Sequence, residues 1–384
     1  MKVERLGDVA LVDRRSVDPT RIDPNTRYLG LEHLERGGRI LGHDTVGRAA
    51  LASSKFSFTA QHLLYSKLRP NLGKISRPTF SGVCSTDILP ILPGPRLDRD
   101  YLAHFLAQTR MIEFAASRAA GANLPRLSPT ALKEFEIPLP PVEEQRRIAA
   151  ILNQADAMRT QRRHLLAQMN SLSQSVFMSM FGDPANAGDT VSLGEIASLT
   201  GGRNLVAEDL SAETPYRVLK ISSVTSGQFR PSESKPLPSN YQPPAAHFVR
   251  EGDLLMSRAN TSELVGAVAY VSQVADNLVL PDKIWRFEWR DTASNPTFYR
   301  ILLQTPTIRR RISRMSSGTG GSMKNVSKAK LATLRLPAVS PTAQRKFAAH
   351  VDRIELQRAK VEHALALEDE LFAALQLRAF QGQL

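Results

Sequence analysis

The sequence predicts an α+β protein built twice over. Two similar mixed α/β heads are each followed by a long helix, and the helices pack as an antiparallel coiled coil about a pseudo-twofold axis. Three observations predict this. After Pro141 no Pro or Gly occurs until Gly182. After Pro341 none occurs until Gly382. Setting Gln145 on Gln344 places Ile148 on Phe347, Leu152 on Val351, Ala155 on Ile354, Arg159 on Arg358, Leu166 on Leu365 and Val176 on Leu375.

Each helix carries its own start and stop signals. Pro141 and Pro341 suit a first helical position, where the missing N–H costs nothing. Glu143 and Glu144 favour the positive end of the first helix dipole, and Ser340 is a good N-cap for the second. Gly182 and Gly382 close the helices. Ile148, Leu152, Ala155, Leu166, Met169 and Val176 on one helix fall near a seven-residue repeat. So do Phe347, Val351, Ile354, Val361, Leu365, Phe372 and Leu375 on the other. At about 1.5 Å per residue each rod spans roughly 60 Å. A stripe that long needs a partner, and the other copy supplies it.

The chain in order reads as a head at 1–136, a spacer helix at 137–181, a linker at 182–190, a second head at 191–335 and a second spacer helix at 336–384. In the first head, 28–31 and 62–68 read as strands. Residues 82–92 read as an edge or strand end because of Pro90 and Pro93. Residues 101–120 read as one helix, closed by Gly121. The second head repeats the order. Leu193-Gly194 answers Leu6-Gly7, 218–221 answers 28–31, 253–258 answers the 62–67 strand, and 298–316 answers 101–120. Matches in one order are what a tandem duplication leaves.

The 384 residues suit two or three domains, and 42% hydrophobic content supports sizeable cores. Lys and Arg total 50 against 37 acidic residues, a net charge of +13 that favours a polyanion partner. Cys84 is the single cysteine, so no disulfide framework or cysteine zinc site forms within the chain, which suits a reducing, cytoplasmic setting. No signal-peptide core and no apolar run of membrane-spanning length is present, so no membrane partner is expected.

Two basic heads on a stiff rod suit double-stranded DNA read at two places, with the rod as a ruler. Candidate DNA contacts in the first head are Lys67, Arg69, Asn71, Lys74, Arg77, Arg118, Asn123 and Arg126. In the second they are Arg258, Asn260, Thr261, Lys283, Arg314, Ser316, Thr319, Lys324 and Asn325. Arg, Asn and Lys donate to guanine and adenine edges, and Lys and Arg also meet phosphates. His104, His247 and the other histidines lack metal-ligand spacing, so no metal is expected. No catalytic constellation is found, and 318–325 lacks phosphate-loop spacing. Asn295-Pro296-Thr297-Phe298 departs from the adenine-methyltransferase tetrapeptide at Thr297 and reads as a turn before a helix.

The stretch Ile137-Pro138-Leu139-Pro140-Pro141-Val142-Glu143-Glu144-Gln145-Arg146-Arg147-Ile148 resembles the signature heading the conserved helix of type I restriction–modification specificity (S) subunits. The order of parts matches that family from end to end: target recognition domain, helix, target recognition domain, helix. The second copy, Leu336-Pro337-Ala338-Val339-Ser340-Pro341-Thr342-Ala343-Gln344-Arg345, lacks the Pro-Pro pair and the Glu before Gln. The resemblance implies a non-catalytic subunit reading a split DNA sequence. It implies docking of two methylation (M) subunits, which carry S-adenosylmethionine, and of restriction (R) translocase–nuclease subunits. No cofactor is expected on this chain itself. Two other readings stand beside it: a self-contained DNA adenine methyltransferase, and a coiled-coil scaffold without nucleic-acid role.

Overall fold

The computed structural model describes residues 2–203, 214–238, 240–318 and 323–384. The chain divides into two compact units, residues 1–164 with 363–384, and residues 165–362. Each unit therefore holds one head, half of the first long helix, Val142–Phe181, and half of the second, Pro341–Gln381.

In the first unit an antiparallel sheet runs in the order Ala10–Val12, Ile88–Pro93, Leu63–Ser66, Ile75–Ser76. A mixed sheet runs Ser16–Val17, Lys55–Phe58, Gly82–Cys84, Arg27–Leu29, Asp44–Thr45. A ribbon of Val3–Arg5 with Glu136–Pro138 ties the start of the chain to the entry of the long helix. Leu63, Leu89, Ile91, Tyr101 and Phe105 form a core that also takes Ile148 and Leu152 from the first helix, and Ala379 and Phe380 from the second. The helices are antiparallel here: Arg147 donates to the Leu384 carbonyl at 2.7 Å, and Arg159 to Asp369 at 2.6 Å.

The second unit repeats this plan. Its four-stranded sheet runs Ala197–Gly201, Ile284–Trp289, Leu254–Ser257, Val268–Tyr270, and its ribbon pairs Thr190–Ser192 with Arg335–Pro337. A three-stranded sheet runs Ser234–Pro236, Arg217–Leu219, Leu278–Val279. Phe177 and Phe181 near the end of the first helix pack on Phe347 near the start of the second, both at 5.6 Å between ring centroids, so the helices are antiparallel here too.

None of the thirteen seam positions is fully exposed. Ile148, Leu152, Phe347 and Val351 are buried, whereas Ala155, Leu166, Met169, Val176, Ile354, Val361, Leu365, Phe372 and Leu375 are half-buried. The seam is deepest where a head covers it, because two helices alone cannot exclude water from both sides of a stripe.

Gln145 and Gln344, the anchor of the sequence match, have a structural task. Each is buried, and each accepts a backbone N–H at the start of its head's short helix: Asp98 N at 2.9 Å, and Asn295 N at 3.0 Å. Each also donates at 2.8 Å to the carbonyl five residues earlier, Pro140 or Val339. One side chain thus ties head to helix in both copies, and the Glu lost before Gln344 plays no part in that tie.

Three local expectations are corrected. Ile88–Pro93 is a central strand, not an edge. Pro90 is tolerated because its missing donor faces the point where Ala10–Val12 has ended, and its carbonyl still accepts from Asp13 N at 2.8 Å. Residues 101–120 form two helices, Arg99–Leu106 and Thr109–Ser117, because Gln108 takes an extended N-cap conformation and turns its buried side chain onto the Phe105 carbonyl at 2.9 Å. The stretch 298–316 likewise splits into Pro296–Gln304 and Pro306–Met315, where Pro306 cannot continue the ladder.

Candidate nucleic-acid interface

In the first head three segments meet beyond the strand Leu63–Ser66. Lys67 N donates to the Asp87 carbonyl, and Leu127 N to the Lys67 carbonyl, both at 2.9 Å. Arg69 N donates to the Pro125 carbonyl at 2.8 Å. Arg69 sits in the left-handed region at φ 48°, which turns the chain into the short Pro70–Leu72 helix. The predicted contacts Lys67, Arg69, Asn71, Arg118, Asn123 and Arg126 all lie on these segments or on the adjoining helix end.

Their side chains are differently engaged. Arg126 grips Asp87 with two bonds, at 2.9 and 3.1 Å, and Lys67 Nζ lies 3.8 Å from the same carboxylate. The Arg126 guanidinium holds the Asp87 carboxyl below its ordinary range. Arg118 stacks over the Phe114 ring at 3.9 Å, while Arg69, Asn71 and Asn123 are exposed. Lys74 and Arg77 are turned to structural partners instead. Lys74 donates to the Leu31 carbonyl at 2.8 Å, and Arg77 to Asn153 of the long helix at 2.6 Å, with Asp100 at 3.3 Å.

The second head repeats the frame. Arg258 N donates to the Lys283 carbonyl, and Val326 N to the Arg258 carbonyl, both at 3.0 Å. Ala259–Asn260 pairs with Lys324–Asn325. Arg258 reaches Asp282 at 3.3 Å and lies over Trp285, with its buried Nε unpartnered among the described residues. Asn260 accepts from Thr261 N at 2.9 Å and Lys324 donates to the Gly318 carbonyl at 3.2 Å. Ser316 donates to the Ser313 carbonyl, and Arg314 is exposed. Thr319 lies outside the described residues.

Residues that the sequence did not single out line a cleft beside this cluster: Arg203, Arg217, Lys220 and Lys235, with Lys283. They come from separate segments, so no local signal joins them. Asn295, of the tetrapeptide, is an N-cap whose side chain accepts from Phe298 N at 3.1 Å. His104 is buried, with Nε2 2.8 Å from Asn153 Oδ1, and burial lowers its pKa. Among the described residues no group of three or more His, Cys, Asp or Glu could hold a metal, and no helix is long and apolar enough to cross a membrane.

The long helices also leave apolar side chains in water. Met158, Leu165 and Leu172 recur every seven residues on the first helix, and Leu356, Leu367, Leu371 and Leu377 stand out on the second. Isolated exposed leucines need no explanation; Met158, Leu165 and Leu172 differ from them in lying at heptad spacing outside the seam positions.

Residues 1–169 match the family of type I restriction modification DNA specificity domains. The chain is 27% identical over 242 residues to the type I restriction enzyme EcoDI specificity subunit of Escherichia coli, covering 61% of this chain and 51% of that protein. It is 26% identical over 329 residues to the EcoKI specificity subunit of Escherichia coli K12, covering 80% of this chain and 69% of that one. The chain thus spans about half the length of the first relative and somewhat more of the second. The crystal structure of a type I restriction–modification S subunit from M. genitalium superimposes with a TM-score of 0.59, at 15% identity, over 99% of this chain and 96% of that one. That likeness establishes the fold.

Proposed function

We propose that the chain is a type I restriction–modification specificity subunit, the sequence-specific DNA-recognition subunit of such a complex, reading a bipartite target. The observation that carries this is the repeated frame. Both heads bring corresponding basic and amide-bearing segments together with matched backbone bonds, and each is tied to the long helices by a buried glutamine. One head reads each half of the target. Exposed Arg and Asn donors reach base edges, and the remaining cations meet phosphates. The paired helices set the unread gap between the halves.

Two methylation subunits dock along the helices, with the Met158, Leu165 and Leu172 row as part of their footing. S-adenosylmethionine and the adenine chemistry belong to those subunits, and this chain catalyses nothing by itself. Restriction translocase–nuclease subunits complete the complex, which works in the cytoplasm. The Asn295 cap speaks against the methyltransferase alternative, because that tetrapeptide is committed to starting a helix.

Genome-wide mapping of adenine methylation, with and without this chain, tests the reading. The expected result is one split motif with a fixed gap that disappears on deletion. A continuous motif, or methylation indifferent to the chain, would overturn it.

A further inference from the structure

The heads share a frame but differ in charge at matched positions. In the second head Arg217–Leu219 pairs antiparallel with Ser234–Pro236 and parallel with Leu278–Val279. A cleft of about 690 Å³ opens there, with Val218 and Leu219 in its lining and Arg203, Arg217, Lys220, Lys235 and Lys283 around them. Gly202 makes one wall possible, because a Cβ there would collide with the Leu280 carbonyl. The segment carrying Arg203 can therefore close on that turn, with Gly202 N donating to the Pro281 carbonyl at 3.0 Å.

Among the described residues the cations are not neutralised from within. The one lining carboxylate, Asp282, is held by Arg258 at 3.3 Å. Arg217 donates to Ser234 Oγ at 3.0 Å and to the Ser234 carbonyl at 3.2 Å, which fixes it while leaving its charge intact. Among the described residues none of the five cations has an ion-pair partner.

The first head has the same strands with less positive charge at the matched positions. Arg27–Leu29 lies between Asp44–Thr45 and Gly82–Cys84. Lys235 stands opposite Val218, and its counterpart Asp44 stands opposite Tyr28. The Lys283 carbonyl receives Arg258 N, and the carbonyl of its counterpart Asp87 receives Lys67 N. Lys220, just beyond its strand, corresponds to Gly30. Arg27 alone matches a cation, Arg217. Three lysines thus answer to two aspartates and a glycine.

We propose that the cleft of the second head clamps the phosphate backbone of one DNA strand, so that the second head anchors the chain on its target and the first contributes little phosphate affinity. The proposal rests on the DNA-recognition reading above. Ammonium groups supply point charges that suit phosphates, and uncompensated cations over an apolar floor concentrate the field. Cations drawn from segments 203, 217–220, 235 and 283 are spread out, which suits a strand of phosphates rather than one compact anion.

The test uses the full chain assembled with its methylation partner and a labelled duplex carrying the mapped motif, titrated across potassium chloride. Replacing Lys220, Lys235 and Lys283 together by Ala is expected to reduce the slope of log K against log salt by about 2 to 3. Binding at about 0.1 M salt should weaken at least roughly tenfold, with the motif unchanged. The comparison set replaces exposed Arg14, Arg21 and Arg36 of the first head by Ala and should change the slope by about 1 or less. Asp44→Lys should steepen it. Equal losses from the two triple variants, or no loss from the lysine set in a complex with an unchanged melting curve, would overturn the clamp. So would competition by inorganic phosphate at constant ionic strength, which would mark a compact anion site. If mapping finds no split motif while the lysine set still loses slope, the recognition reading fails and the clamp stands. If the motif is split and the slope is unmoved, the clamp alone fails.

Discussion

Compare the two heads bond by bond and side chain by side chain. The backbone bonds that gather the loops recur in both: Lys67 to Asp87 and Leu127 to Lys67 in one, Arg258 to Lys283 and Val326 to Arg258 in the other. The glutamine ties recur as well. The outward side chains do not, and at matched sites lysine answers to aspartate. Duplication has preserved what positions the loops and released what the loops present. Backbone bonds constrain geometry whatever the side chain, whereas an exposed side chain answers only to its partner.

The largest break in the comparison lies in the helix seam. Phe177 is fully buried among Phe181, Phe298 and Phe347 in the second unit. Its sequence counterpart in the first unit is Gln376, half-buried, whose Nε2 reaches the His104 carbonyl at 3.4 Å. Phe177→Ala should cost about 4 kcal/mol. Gln376→Ala should cost about 1 kcal/mol or less. Urea unfolding of the full chain followed by circular dichroism measures both. Equal losses would mean that the two seams bear equivalent weight despite their different side chains.

The glutamine ties come next. Gln145 makes three close bonds, adding the Arg96 carbonyl at 2.9 Å to Asp98 N and Pro140. Gln344 makes two, with Tyr299 Oη at the edge of reach at 3.5 Å. Removing either side chain strands buried polar groups, so Gln145→Ala should cost about 3 kcal/mol and Gln344→Ala about 2 kcal/mol. The same unfolding experiment checks the order, and a reversed order would show that the third bond carries no weight.

How much of this was legible in the sequence follows from the range of the signals. The long helices were readable because their caps and breakers are local and their apolar period persists for forty residues. The repeat was readable because Gln145 and Gln344 fix its register. The break at Gln108 was not, since it turns on one buried side chain meeting the Phe105 carbonyl rather than on Pro or Gly. Lys74 and Arg77 were readable as basic, but their engagement with Leu31, Asn153 and Asp100 depends on tertiary contact. The cleft was invisible because Lys220, Lys235 and Lys283 come from separate segments that only the folded sheet and its loops bring together.

The smallest expected effect separates the heads by pH. Asp87 has a depressed pKa, chiefly from the Arg126 hydrogen bonds, and its counterpart is Lys283. A depressed carboxylate stabilises the fold fully above its unfolded pKa of about 3.9 and loses that contribution as pH falls through the folded value. Asp87→Asn should therefore cost about 1 kcal/mol at neutral pH. The gap to the parent chain should hold from roughly pH 8 down to pH 5 and narrow below about pH 4. Lys283→Ala should show no such narrowing, because that position carries no carboxylate. Urea midpoints of both variants across that pH range make the measurement. A gap for Asp87→Asn that stays constant to about pH 3 would mean that the carboxylate charge does not hold Arg126 in place. The two heads would then differ in charge without differing in how charge supports the loops.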